Sequence, residues 1–126
     1  VGACLMVGAK AVMLAASTFT LSWTHSVERT GWSETYHVEK AGLQLVEARV
    51  MGSGAGMDPG EGARLEGEWW VWKPTLGPVP ELVLAASGAT VGGWHLCEGA
   101  WPGTECRTLG ASAGAPIHVQ PCEAGR

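Results

Sequence analysis

Polar and apolar residues alternate one for one through Thr18–Glu28. Phe19, Leu21, Trp23, His25 and Val27 fall on one side, and Thr18, Thr20, Ser22, Thr24 and Ser26 on the other. A period of two is that of a half-buried β-strand. The apolar row accepts a histidine at His25, with Glu28 just beyond, and this is the sharpest local departure from the pattern. Upstream, Val1–Ser17 is apolar and reads as a first hairpin: Ala3–Val7, a turn at Gly8–Lys10, then Ala11–Leu14. A leader remnant is the alternative, with the domain then starting near Ser17. Against it, the segment lacks a basic start and Lys10 interrupts it.

Downstream, Arg29–Ser33 reads as a turn around Gly31, Glu34–Glu39 as a short strand, and Lys40–Gly42 as a tight turn. The strand puts Tyr36 and Val38 on one side and Thr35, His37 and Glu39 on the other. Leu43–Met51 changes phase midway. Leu43 and Leu45 share a side, but Val46, Ala48 and Val50 take the opposite one. A bulge near Leu45–Val46, or burial on both faces, accounts for the switch. A helix is the rival, because Leu43, Val46, Glu47 and Val50 also stand at helical spacing. Gly52–Gly62 is a glycine-rich loop. Glu66–Trp72 reads as a strand with Trp70 and Trp72 on one face and Trp69 and Val71 on the other. Lys73–Pro80 is extended, since Pro74, Pro78 and Pro80 exclude pairing in a central strand. Glu81–Ala85 reads as a buried strand. Trp94–Cys97 and Cys106–Leu109 flank a loop, Gly110–Gly114 is a link, and Ala115–Cys122 closes the chain with Ile117 and Val119 inward. The pattern predicts an all-β, single-domain antiparallel β-sandwich or barrel-like fold over residues 1–126, with eight or nine short strands.

Composition narrows the function. Hydrophobic residues make up 46% and charged residues 16%, enough to bury a core. The net charge of -4, without any Lys/Arg cluster, disfavours nucleic-acid binding. The four cysteines, Cys4, Cys97, Cys106 and Cys122, allow three pairings. The smallest loop joins Cys97 to Cys106, which leaves Cys4 and Cys122 to tie the chain ends together. Paired cysteines point to an oxidising compartment such as a bacterial periplasm. Their spacing contains no C-x-x-C, so no metal site is expected.

Three features carry candidate chemistry. At the end of its apolar row, His25 is either a ligand-contacting imidazole oriented by Glu28 or a core histidine bonded to backbone. Ser26 is its neighbour, but adjacent strand residues face opposite ways and no G-x-S-x-G elbow is present, so a nucleophile–base pair is not indicated. Gly52-Ser53-Gly54-Ala55-Gly56 can offer successive backbone N–H groups to an anion, or can simply allow a close crossing of chains. It lacks the Gly-Lys-Ser/Thr of a nucleotide-binding loop. Trp69, Trp70 and Trp72 cannot all face one core, so a stacking platform for a sugar competes with simple coverage of the sandwich bottom. His37, His95 and His118 read as solvent-side. Among Glu34, Glu39, Glu47, Glu66 and Glu68, no pair is set at catalytic distance by sequence alone.

The run Phe19-Thr-Leu-Ser-Trp-Thr-His-Ser-Val-Glu28, followed by Gly52-Ser-Gly-Ala-Gly-Met57, resembles a bacterial family of unknown function. That family is encoded beside, or fused to, membrane components of TRAP transporters of the TAXI type. The likeness extends through Leu43–Arg49 and more faintly through Glu81–Leu84 and the Cys122 end. It implies an exported or membrane-associated accessory domain of a solute-uptake system, periplasmic or extracytoplasmic, with no established catalysis, ligand or cofactor. The matching positions are His25, Ser26, Glu28, Ser53, Gly54, Gly56 and Met57. The expectation is that these converge at one end of the sandwich and receive a small carboxylate. The partner would be the membrane or substrate-binding component of a TRAP transporter. The alternative is a structural docking domain without a small-molecule ligand of its own.

Overall fold

The computed structural model describes residues 2–25, 31–40, 42–51, 62–86, 90–110 and 113–122. Among the described residues, two sheets, both antiparallel throughout, are built from eleven strands. The smaller takes β1 (Ala3–Val7), β2 (Lys10–Leu14), β8 (Leu82–Leu84) and β11 (Ile117–Pro121), in the order β2-β1-β11-β8. The larger takes β3 (Thr18–His25), β4 (Gly31–Glu39), β5 (Gly42–Met51), β6 (Arg64–Glu66), β7 (Trp69–Trp72), β9 (Thr90–Glu98) and β10 (Thr104–Leu109). Its order is β10-β9-β3-β4-β5-β7-β6.

The core lies between the sheets. Phe19 and Leu21 of β3, Tyr36 of β4, Leu43 of β5 and Leu96 of β9 meet Leu5, Val7, Val12, Leu14, Leu84 and Val119 of the smaller sheet. Phe19, Leu5, Leu43 and Val119 are wholly buried. Each such side chain contributes about 1.5–3 kcal/mol relative to exposure. The first hairpin therefore belongs to the core, with Gly8 in the left-handed region at its turn (φ 62°).

The phase switch in β5 is a bulge. Tyr36 pairs with Leu45 and Thr35 with Glu47, so Val46 is the extra residue, 39% exposed. That one insertion returns Ala48 and Val50 to the face of Leu43 and Leu45. Neither a helix nor burial on both faces is present.

Several boundaries differ from the pattern. Residues Gly31–Ser33 open β4 instead of sitting in a turn, because Trp32 and Ser33 pair with Trp23 and Ser22 across the sheet. The stretch expected as one strand over Glu66–Trp72 is a hairpin. Gly67 (φ 65°) turns it, and β6 pairs back on β7. Glu81–Ala85 yields only the edge strand β8, in which Val83 is 55% exposed, since one side of that sheet faces away from the core. β9 and β10 also begin earlier than expected. These differences raise the strand count above the expected eight or nine. Disulfides join Cys4 to Cys122 and Cys97 to Cys106.

Candidate functional site

β3 ends at His25, opposite Thr90 of β9, and this histidine's backbone is the part of the expected ligand set that the structure describes. The His25 side chain, together with Ser26, Glu28, Ser53, Gly54, Gly56 and Met57, lies outside the described residues. Their anchors are described. Trp32, one residue into β4, pairs with Trp23 on one side and Val50 on the other. A Cβ placed on Gly31 would stand 3.7 Å from the Met51 Cβ. The chain thus leaves β3 and β5 toward the two motif segments from the same end of the larger sheet.

The two faces of that sheet differ in chemistry. The outer face carries hydroxyls: Thr20 and Thr35, Ser22 and Ser33. Thr20, Ser33 and Thr35 are buried there, and the segment 99–103 folds back over this face as a roof, Gly99 meeting Thr20 and Trp101 meeting Arg49 and Trp69. The Thr20 hydroxyl donates to the Gly99 carbonyl (2.8 Å), so in its contact with Thr35 (3.2 Å) it accepts. The Ser22 hydroxyl donates to Ser33 (3.1 Å). Cys97–Cys106 closes the base of the roof, and Trp101 forms its tip. The Trp101 ring lies over the Arg49 guanidinium, 4.2 Å from its carbon, and meets the Trp69 ring edge-on at 5.4 Å. Arg49 is further held by Glu47 at 3.0 Å and Glu66 at 3.8 Å. Its charge is compensated on two sides and stacked on a third.

Beside this roof is an open cleft of about 420 Å³, lined by Thr18, Thr35, Val46, Glu47, Lys73 and Ala100. The charges there are unequal in availability. Glu47 is engaged by Arg49, whereas no described carboxylate lies within ion-pair distance of Lys73. Thr35 has its proton committed to Thr20, which leaves Lys73 and the Thr18 hydroxyl as the cleft's donors. None of this was legible in the pattern, because it depends on the roof coming back over β3–β5. The one available signal was the strictly polar row Thr18, Thr20, Ser22 and Thr24.

The inner face carries an unexpected carboxylate. Glu34 stands between Leu21 and Ala48 and accepts a hydrogen bond from the Tyr36 hydroxyl at 2.7 Å. Burial holds its carboxyl above the ordinary range, and the Tyr36 bond offsets part of that. Burial and the Glu34 charge together push the Tyr36 hydroxyl far above its usual range. The alternation of β4 does put Glu34 on Tyr36's side.

The scattered histidines are surface groups. His37 and His118 are exposed, and His118 approaches Glu81 at 3.3 Å. His95 is partly buried beside the Thr108 hydroxyl at 3.4 Å. The described residues include no cluster of three or more metal-ligating side chains. The tryptophans of β7 divide as their alternation requires, Trp69 beneath the roof and Trp70 and Trp72 on the inner face.

Residues 19–102 match a family model described as a domain of unknown function (DUF1850). No curated protein and no solved structure matches the chain.

Proposed function

The chain belongs to the DUF1850 family of unknown function, and from that premise we propose that it is a non-enzymatic, exported binding module that accepts a small carboxylate. The observation that carries this reading is the cleft beside the roof. Lys73 supplies a cation without a described counter-ion, and the Thr18 hydroxyl supplies a second donor. A cation and a hydroxyl converging on an open cleft suit a carboxylate, and charge-assisted hydrogen bonds are the stronger kind. Two disulfides suit an exported setting. The resemblance to a family encoded with TRAP transporters supports placing the module beside such an uptake system, where a membrane or substrate-binding component would be its partner.

The test is a thermal-shift and calorimetric screen of small mono- and dicarboxylates against the full chain. At least one is expected to raise Tm, and Lys73→Gln is expected to abolish that shift while leaving the ligand-free Tm unchanged. A screen in which no carboxylate binds, or in which Lys73→Gln binds as the wild type does, overturns the reading. A structural docking domain is the second reading. It draws support from Met13 (69% exposed) and Val83 (55%), apolar side chains displayed by the smaller sheet.

A further inference from the structure

Seven strands face four, and the smaller sheet does not reach across the larger. The core cluster draws on β3, β4, β5 and β9 but on no residue of β6 or β7. At and past its margin the inner face is aromatic, with Trp23 packed against the cluster and against Trp94 at 4.7 Å. Trp32 stacks on Trp23 with ring centroids 6.1 Å apart and planes within 4°. Trp70 pairs with Val50 beside Trp32, and Trp72 pairs with Ala48 beside Glu34. All of these tryptophans, and Glu34, are only partly buried.

Register puts the tryptophans on the same sheet face as Glu34, whose carboxylate is held by Tyr36 on the side away from Trp32. Trp32 is two residues from Glu34 on the same strand face, and Trp23 is its diagonal neighbour across β3. Trp72 lies in the same cross-strand row, one strand beyond Ala48. Trp32 and Trp23 stand at separations that long and aromatic side chains span, and Trp72, two strands away at about 10 Å, bounds the same face beyond the small Ala48. The rest of that row, Leu96, Leu21 and Ala48, is apolar.

We propose that Glu34 and the tryptophan overhang form a binding site for an organic ammonium ion with an apolar body. The chemistry selects that ligand. A lone carboxylate in an apolar row calls for one positive charge. Indole faces attract weakly hydrated cations and cover apolar groups. A hard metal ion would demand several oxygen ligands, whereas the Glu34 row offers one carboxylate and the Tyr36 hydroxyl. The carboxyl's raised affinity for protons reflects a charge that burial leaves poorly compensated, and an ammonium group relieves that cost. Tyr36, wholly committed to Glu34 and stacked on Phe19 at 5.4 Å, keeps the carboxylate in place. This site is on the opposite face of the sheet from Lys73 and does not depend on the carboxylate reading.

The experiment titrates the full chain with phenylethylammonium and with 2-phenylethanol, its neutral analogue, following tryptophan fluorescence and the indole N–H resonances. The ammonium is expected to bind more tightly than the alcohol and to move the resonances of Trp23, Trp32 and Trp72. Glu34→Gln retains the hydrogen-bonding shape and is expected to weaken the ammonium by about tenfold or more. The alcohol should be unaffected by that change, and Lys73→Gln should bind the ammonium as the wild type does. Trp32→Leu gives a second reading at a partly exposed position and should weaken both compounds. Equal binding of ammonium and alcohol by the wild type, an unchanged ammonium affinity in Glu34→Gln, or shifts confined to Trp69 and Trp101 overturns the proposal.

Discussion

Glu34 is the residue whose surroundings conflict most with its chemistry. It holds its proton more tightly in the folded chain than at its ordinary value of 4.5, chiefly because burial penalises the charge. Between that value and the folded one, the native state binds more protons than the unfolded state. Stability from this group is therefore fully present below about pH 4.5 and is lost as pH rises through the folded value. Glu34→Gln removes the linkage. The difference in unfolding free energy between the two proteins, measured by urea titration at a series of pH values upward from the ordinary carboxyl value, should favour the variant progressively as pH rises. A constant difference would show that Glu34 is not perturbed by folding. Tyr36 gives a second test at the other extreme. Its hydroxyl in the unfolded chain ionises near 10.0, whereas burial and Glu34 hold the folded one protonated well beyond that. Stability should fall as pH rises above about 10, and Tyr36→Phe should remove that fall. The same substitution should cost about 1.5–3 kcal/mol near neutral pH, the worth of a hydrogen bond to a charged acceptor.

At the scale of strands, side-chain alternation was a reliable guide wherever one face met the core. It located β3 and the β1–β2 hairpin, put Ile117 and Val119 inward, and exposed the β5 bulge as a break in phase. It failed where pairing partners, not local pattern, set the limits. Gly31 suggests a turn at Trp32 and Ser33, yet β3 and β5 hold both in register. The aromatic alternation of Glu66–Trp72 suits one strand, yet Gly67 in the left-handed region turns the chain so that β6 pairs back on β7. The candidate site was least legible. Its motif segments lie outside the described residues, and the cleft and roof are long-range products of a loop that crosses the sheet. Gly42 shows how such a long-range contact constrains one position. It sits at φ 149°, and a Cβ there would collide with the Val79 carbonyl, the group that accepts from Leu43 N–H at 2.7 Å. That bridge holds the proline-rich segment against β5. Gly42→Ala should therefore cost about 2–4 kcal/mol, combining backbone strain with a displaced bridge. Chemical denaturation of Gly42→Ala beside Gly77→Ala, where nothing crowds the added methyl, separates this from a general glycine effect.

Across the whole molecule the two disulfides do unequal work. Cys4–Cys122 spans 118 residues and ties β1 to the end of β11, where Cys122 N–H also donates to the Cys4 carbonyl at 3.0 Å. Cys97–Cys106 spans 9 residues and closes the base of the roof. Loop-closure entropy alone gives about 5 kcal/mol for the long bridge and about 2.6 kcal/mol for the short one. The long bridge should also matter more structurally. β1 lies between β2 and β11 and brings Leu5 and Val7 into the core, so a frayed chain end withdraws apolar surface from the centre of the sandwich. The short bridge fastens residues that cover a polar face, so its loss should be felt at Trp101 and Arg49 before it is felt in the core. Two double variants test this division. Cys4→Ser/Cys122→Ser should lower Tm more than Cys97→Ser/Cys106→Ser does. The latter should instead change the near-ultraviolet circular dichroism of the Trp69–Trp101 pair and release Arg49 toward solvent. It should also weaken any carboxylate bound in the cleft, because Ala100 forms one of its walls. Equal losses of Tm with no change in the tryptophan signal would mean that the roof is held by Arg49, Glu47 and Glu66 without the help of its disulfide.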